Sequence, residues 1–148
     1  MSTQQRYQAV LSRLKALGIA TVQQLEDAQR EQARSRERIG VVLSRLGFMR
    51  DADSGKRLAA QLGWIPKPLE ASSVEVPALQ RLPSGVCRAH RVVPIREDPP
   101  GHVVLATDDP LTVMAHEWLS RQCGAEVELL LVAERELELL LARLDQPP

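Results

Sequence analysis

Residues 38–61 read RIGVVLSRLGFMRDADSGKRLAAQ, a 24-residue segment in which an apolar helix face ends at a glycine. Four apolar residues recur there at the i, i+3, i+4, i+7 spacing of one helix face: Ile39, Val42, Leu43 and Leu46. Gly47 follows at the position where many helices end in a left-handed residue. The pattern predicts a helix over 39–46 and, despite the low helix propensity of Gly55, a further helix over 51–62.

The same arrangement occurs 29 residues earlier, over residues 9–32. A shift of 29 residues places Gly18 on Gly47 and Gln32 on Gln61, so that both helix ends and both closing glutamines align. The string Val-Leu-Ser-Arg-Leu also occurs twice, but its shift of 32 residues aligns one helix only. We therefore prefer the register that aligns the glycines.

Two further signals place the helices of the first copy. Val10, Leu14 and Leu17 have helical spacing, which predicts a first helix that ends near Gly18. Thr21 and Gln24 have the spacing of a capping box, which predicts a second helix over 21–32. Residues 1–63 are thus expected to form a helical subdomain of two 24-residue repeats.

The sequence changes character after Trp64, where prolines repeatedly interrupt the chain. The patterns that follow predict a helix over 83–90, a hairpin of strands over 92–96 and 102–107, a helix over 112–122, a strand over 127–132 and a closing amphipathic helix. Residues 64–148 are expected to form an α/β subdomain. The fold class is α+β: a helical bundle of two helix-pair repeats, then a small sheet with covering helices, in one compact domain. The tail 145–148 suits a linker to a following domain.

Composition and charge exclude several classes of protein. The 148 residues are 44% hydrophobic, as in an ordinary globular domain, and 19 basic residues balance 19 acidic ones. This balance argues against nucleic acid as the main partner. No apolar run approaches the roughly 20 residues that span a bilayer, so we expect membrane contact only through a partner. Cys87 and Cys123 are isolated cysteines, which favours free thiols in the cytoplasm.

The motifs of enzymes and metal sites are incomplete. Gly55-Lys56 is flanked by Arg50 and Arg57, where a phosphate loop needs glycine and serine or threonine. Cys87 and His90 have ligand-like spacing but lack a second pair, so a core cysteine and a surface histidine are the simpler interpretation. We therefore predict no enzyme, no catalytic residue and no metal site.

Four other polar residues have side chains that could do chemistry, but simpler roles explain them. His116 and Glu117 lack the second histidine of a zincin motif, which favours a solvated helix face. Asp108 and Asp109 are adjacent carboxylates after a strand, and an acid/base pair is conceivable there. Because Pro110 follows, a turn or helix-start role for Asp109 is favoured.

The 24-residue pattern resembles a motif of the N-terminal domains of bacterial type II secretion and type IV pilus assembly ATPases, whose nucleotide-binding members are called MshEN domains. That motif begins Arg-Leu-Gly, has a central glycine and two spaced leucines, and closes with glutamine. The second copy matches it at Arg38-Ile39-Gly40, Leu43, Gly47, Phe48-Met49, Leu58 and Gln61. The five-residue joint over 33–37 matches the family's spacer, and 92–95 and Asp109-Pro110 resemble its second subdomain.

The first copy departs from the motif. It keeps Leu14, Gly18, Ile19, Leu25 and Gln32. However, it has Ala9-Val10-Leu11 where Arg-Leu-Gly is expected, and Gln29 replaces a leucine. The resemblance therefore implies a well-formed second half-site, although Ser44 and Ser54 stand at apolar motif positions, and an eroded first one.

The resemblance implies two alternative functions. One is docking, as a non-catalytic domain of a secretion or pilus ATPase, onto an inner-membrane platform protein at the inner face of that membrane. The other is a sensor of cyclic di-GMP, with no other cofactor, in which arginine stacks on guanine and glutamine pairs with a base edge. The residues implied for the nucleotide are Gln32, Arg38, Gly40, Leu43, Gly47, Leu58, Gln61 and Asp109.

The alternatives for these residues are structural. Arg38 would lie in a solvated joint, and Gln32 and Gln61 would simply end helices. Docking needs an exposed face, which the first helix could provide, although ordinary core packing is the alternative. The candidate docking residues are Tyr7, Leu11, Leu14 and Leu17. Docking is the preferred function because the chain lacks a catalytic motif of its own.

Overall fold

A computed structural model describes residues 2–18, 21–48 and 62–144. In these ranges the chain is α+β, as predicted: three helices precede a three-stranded sheet with covering helices. The first three helices are α1 (Thr3–Ala16), α2 (Val22–Ser35) and α3 (Ile39–Arg45). The predicted helix over 51–62 lies almost wholly outside the described residues, and the division at residue 63 stays a prediction.

Helix α2 begins as its sequence predicts. The backbone N–H of Thr21 donates to Gln24 Oε1 at 2.8 Å, and the backbone N–H of Gln24 donates to Thr21 Oγ1 at 3.1 Å, which completes the capping box. The helix continues to Ser35, three residues past its predicted end at 32. Arg36 then adopts the left-handed conformation, with φ of 61°, and donates its N–H to Gln32 O at 2.7 Å. The joint is therefore shorter than predicted.

Helix α3 ends at the predicted glycine. Gly47 has φ of 84°, a conformation that glycine adopts without steric cost. The N–H of Phe48 donates to Leu43 O at 2.8 Å, and that of Gly47 donates to Ser44 O at 3.0 Å, which is the Schellman pattern. Gly18 is also left-handed, with φ of 71°. Both repeats thus use their aligned glycines in the same way.

The sheet consists of β1 (Val92–Glu97), β2 (His102–Thr107) and β3 (Glu126–Leu131), in that order. β1 and β2 form the predicted antiparallel hairpin, and β3 pairs with β2 in parallel. The crossover from β2 to β3 holds a 3₁₀ helix (Pro110–Ala115) and then α5 (His116–Cys123). The single helix predicted over 112–122 is therefore wrong in its first part, where Asp109 caps a tighter helix.

Two more helices cover the sheet: α4 (Ser84–His90) and α6 (Glu134–Arg143) both contact β1. One hydrophobic core joins the N-terminal helices to the sheet, because α1, α2 and α3 all contact the 3₁₀ helix of the crossover. Its fully buried members from both halves include Leu14, Leu25, Leu43, Ile95, Leu105, Leu119 and Leu137. None of the helices in the three described ranges is long and apolar enough to cross a membrane.

Both cysteines are buried in this core as thiols. Burial raises the pKa of the Cys87 thiol to about 12 and that of Cys123 to about 11. Because the thiolate is the reactive form, these side chains act as small apolar residues near neutral pH.

Candidate functional site

Arg38 and Asp109, both predicted as ligand residues, lie side by side. Arg38 is the residue before α3, and its Nε lies 3.7 Å from Asp109 Oδ2. The Arg38 side chain is 16% exposed and that of Asp109 is 2% exposed. The pair therefore joins the second repeat to the end of β2 rather than standing in a solvated joint, as the structural alternative for Arg38 assumed.

Asp109 has the predicted role at a helix start. Its Oδ1 accepts a hydrogen bond from the N–H of Leu111 at 3.1 Å, and its own N–H donates to Thr107 Oγ1 at 3.1 Å. The hydroxyls of Thr107 and Thr112 are 3.2 Å apart. This buried polar cluster fixes the turn between β2 and the 3₁₀ helix, so that the Asp109 carboxylate faces Arg38.

Asp108 is held by a different arginine. Arg91 Nε is 3.0 Å from Asp108 Oδ1, and Arg91 Nη2 is 2.9 Å from Oδ2 and 2.6 Å from Glu138 Oε1. These carboxylates raise the pKa of Arg91. Adjacent aspartates that belong to two separate ion pairs do not form an acid/base pair. Arg91, which adopts a left-handed φ of 54° after α4, was not predicted, because no motif in the sequence marks it.

His90 is a core residue, which corrects the surface position that we expected. It is 2% exposed, its Nε2 lies 2.8 Å from Arg36 O, and its ring lies 4.7 Å from that of Trp118. Burial lowers the pKa of His90, and Arg38 nearby adds to this effect. The neutral ring therefore donates from Nε2 to Arg36 O. Within the described residues no cluster of three His, Cys, Asp or Glu side chains could hold a metal ion.

Gln32, which closes the first motif copy, lies at a cavity of about 140 Å³. It is 1% exposed, and among the described residues its Nε2 has no hydrogen-bond partner although the atom is buried. Other residues around this cavity include Tyr7, Gln29, Met114, His116, Trp118 and Arg121. A buried amide without a partner costs free energy, so this position is unusual for a residue that merely ends a helix.

Gln29, the substitution in the first motif copy, has a clear structural role that sequence reasoning missed. Its Nε2 donates to Tyr7 Oη at 3.2 Å and to Met114 O at 2.9 Å. Tyr7 also packs edge-on against His116, with ring centroids 5.3 Å apart. Gln29 therefore braces α1 and α2 against the 3₁₀ helix. A polar residue at an apolar motif position was the signal for this contact.

Two other residues predicted for the nucleotide, Gly40 and Leu43, lie in α3, two and five residues after Arg38. Gly40 is buried in α3, and Leu43 is 1% exposed within the core, so Leu43 presents no surface to a ligand, contrary to the prediction. Gly47 is exposed at the end of the helix. Leu58 and Gln61 lie outside the described residues.

The predicted docking face on α1 needs correction. Leu14 is fully buried in the core, and α1 packs against the 3₁₀ helix of the crossover. Tyr7 and Leu11 are half-buried and pack against the core. Leu17, at 47% exposure, is the exposed member of the four.

A different side of α1 borders a groove of about 290 Å³, which we call the Trp64 groove. Its lining residues are Arg6, Ala9, Val10, Leu62, Gly63, Trp64, Ile65 and Lys67. The guanidinium carbon of Arg6 lies 4.3 Å from the centre of the Trp64 ring. Ile65 is 76% exposed. Ala9, which replaces the arginine of the first motif copy, therefore lies in an open and mainly apolar groove.

Comparison with known proteins identifies the family. Residues 67–148, more than half of the chain, match the MshEN domain, so this chain belongs to the MshEN domain family. The matched part begins after the two motif copies and contains Asp109, the whole sheet and its covering helices.

Individual relatives are consistent with this membership. The type IV pilus assembly ATPase PilB of Myxococcus xanthus is 29% identical over 116 residues, which cover 78% of this chain and 20% of that protein. The chain thus spans about a fifth of the length of this relative.

Two solved structures are also similar. One, of MshE with cdg, is 27% identical with a TM-score of 0.49, over 90% of this chain and 96% of that one. The N-terminal domain of XpsE is 22% identical with a TM-score of 0.46, over 92% and 94%.

Proposed function

We propose that this chain is the docking domain of a type II secretion or type IV pilus assembly ATPase, and that it binds an inner-membrane platform protein. It would act in the bacterial cytoplasm, at the inner face of the inner membrane. The observation that carries this proposal is the Trp64 groove, an open apolar surface on a domain of the MshEN family.

The absence of catalysis is part of the proposal. Asp108, Asp109 and His90 are each engaged in contacts that hold the fold together. The sequence also lacks the glycine and the serine or threonine of a phosphate loop around Lys56. We expect the purified chain with ATP and Mg²⁺ to show no sustained turnover. Turnover that is lost on mutation of one of its own residues would contradict this.

The composition of the Trp64 groove resembles that of a protein interface. Trp and Arg are the residue types most enriched at binding hot spots, and here Trp64 and Arg6 are stacked together beside the exposed Ile65. Isolated exposed apolar residues are ordinary, but an apolar residue beside a concave surface with a stacked arginine favours a partner.

Co-purification tests the docking function. The chain carrying an affinity tag should retain the cytoplasmic domain of the platform protein encoded in the same gene cluster. A chain with Ile65→Asp in the groove should retain less of it. If neither the wild type nor any variant retains the platform domain at high micromolar concentration, the docking function is wrong.

A second candidate function, binding of cyclic di-GMP, is favoured by one observation: the buried Nε2 of Gln32 without a partner among the described residues. The related structure of MshE with cdg suggests the ligand. The adjoining cavity, of about 140 Å³, is below the roughly 300 Å³ at which ligand pockets begin. A dinucleotide would therefore have to separate α2 from the 3₁₀ helix.

A titration decides this second function. We expect Arg38→Ala to weaken any binding of cyclic di-GMP about tenfold or more, since a charge-assisted contact contributes on the order of 1–3 kcal/mol. Ala9→Arg with Leu11→Gly, which restores the motif, should tighten it. No heat and no thermal shift at millimolar cyclic di-GMP would remove the sensor function and leave docking.

A further inference from the structure

We propose that the Trp64 groove receives an acidic amphipathic helix of the protein partner. This inference rests on the proposed docking function and specifies the chemistry of the segment that docks. The occupant would place apolar side chains in the groove and carboxylates at its rim.

The floor of the groove is apolar and set by α1. α1 contributes Ala9 and Val10 to the lining, and the segment after residue 61 contributes Leu62 and Trp64. Because Ala9 stands where the family motif has arginine, the space that a long side chain would occupy is open. The volume of about 290 Å³ is close to the lower end for pockets that enclose a ligand. It suits a few side chains of a partner better than a whole cofactor.

The rim of the groove is cationic. Among the described residues that line it, both charged ones, Arg6 and Lys67, are basic. Arg6 is stacked on Trp64, with its guanidinium carbon 4.3 Å from the ring centre, so its charge lies beside the groove. Glu128, an exposed acidic residue, interacts electrostatically with Arg6. Since the whole chain has a net charge of zero, this local excess of positive charge favours a partner that carries carboxylates.

Trp64 is mostly buried where it lines the groove. The residue is 9% exposed, and its Nε1 is buried without a hydrogen-bond partner among the described residues. Because this atom has no exposed surface, it does not mark a contact for the docked segment.

A helix is the form of segment that these features fit. Three residues within about one turn of α1, Arg6, Ala9 and Val10, line the groove, so a second helix would pack against this turn. Helix-in-groove recognition uses apolar anchors at i, i+3, i+4 and i+7, with charged residues beside them. An acidic residue next to each anchor would meet Arg6 and Lys67.

Matched substitutions test the inference, with the platform protein's cytoplasmic domain as the probe in a calorimetric titration. We expect Ile65→Asp to weaken binding by about tenfold or more, and Lys67→Glu by about three- to tenfold. Leu139→Asp and Arg135→Glu, at exposed positions of α6, are the controls and should change the affinity less than about twofold. Arg6→Glu, if it folds, should act as Lys67→Glu does. Circular dichroism melting checks that each variant is folded.

A photo-crosslinking amino acid at position 65 identifies the segment. Crosslinking into a partner helix rich in Asp and Glu, together with weakened binding by the groove variants, supports the inference. Wild-type binding that the groove variants and the controls affect equally would overturn it while leaving docking intact. Crosslinking into a basic or non-helical segment would also overturn it. The inference would also be overturned if the groove variants reduced co-sedimentation of the chain with anionic phosphatidylglycerol vesicles but left its binding to the platform protein unchanged. Absence of any wild-type binding would instead remove the docking function itself.

Discussion

Replacing Gln32 with leucine should stabilise the domain, which is unusual for a change at a fully buried position. Gln32 is 1% exposed, and its Nε2 is buried without a hydrogen-bond partner among the described residues. Leucine has nearly the same helix propensity as glutamine, so the effect on α2 itself is small. Most core substitutions destabilise, so the direction of the change is a sharp test.

The magnitude follows from the unsatisfied amide. A buried donor without a partner costs about 1–3 kcal/mol relative to its hydrated state. Allowing for imperfect packing of the leucine side chain, we expect a gain of about 1–2 kcal/mol in the free energy of unfolding. For a chain of this size, each 1 kcal/mol corresponds to a rise of about 2–4 °C in Tm.

Gln29→Leu is the matched control, because it makes the same chemical change three residues earlier on α2. Gln29 donates to both Tyr7 Oη and Met114 O. We expect its loss to lower the free energy of unfolding by about 1–2 kcal/mol, although it restores the leucine of the motif. Urea unfolding monitored by circular dichroism measures both variants.

The two substitutions should therefore have opposite signs. If Gln32→Leu destabilises the chain as much as Gln29→Leu does, then the Gln32 amide has a compensating partner and the reasoning fails. If Gln32→Leu stabilises the chain and also abolishes binding of cyclic di-GMP, then the ligand provides the hydrogen-bond partner that the Gln32 amide lacks in the free domain.

Three other outcomes are expected. Arg91→Leu leaves the buried Asp108 carboxylate without its bidentate partner, and urea unfolding should show a loss of about 2–4 kcal/mol. Because burial lowers the pKa of His90 below 6.5, the unfolded chain binds more protons, so stability falls as the pH drops through about 6.5 toward that lowered pKa. His90→Phe should flatten this slope in unfolding measured from pH 8 to 5, and an unchanged slope would refute it. Thr3→Val removes the acceptor for the N–H of Leu129, at 3.0 Å, and should lower Tm by a few degrees.

The local parts of the fold could be predicted from the sequence. The capping box at Thr21 and the glycine stops at Gly18 and Gly47 depend on residues within one helical turn. The hairpin of β1 and β2 depends on a short loop between two apolar runs. Such signals need no knowledge of the distant chain, and these predictions are confirmed.

The features that failed depend on contacts far apart in the sequence. We expected Leu14 to be available for docking, but it is fully buried in the core that α1 forms with the rest of the domain. We expected His90 at the surface, but in the structure its ring packs beside that of Trp118 and its Nε2 contacts Arg36 O. The apolar spacing along a helix shows which residues share a face, but it does not show which other element packs against that face.

The roles of the candidate nucleotide-binding residues stay a prediction, although two of them lie together in the structure. Arg38 and Asp109, which are 71 positions apart in the sequence, lie together, and the family resemblance was the sole reason to expect both at one site. The Trp64 groove was missed because its walls come from α1 and from a proline-rich segment without periodicity. The absence of the motif arginine at Ala9 was the sequence signal for an open groove. We interpreted it only as degeneration of the first nucleotide half-site.

Docking is tested most directly by the affinity of the wild-type chain for the cytoplasmic domain of the platform protein, measured by calorimetric titration beside Ile65→Asp. We expect a saturable one-to-one complex with a Kd in the micromolar range or below, about tenfold weaker for Ile65→Asp. No measurable complex at high micromolar concentration, with a folded wild-type chain, would contradict it.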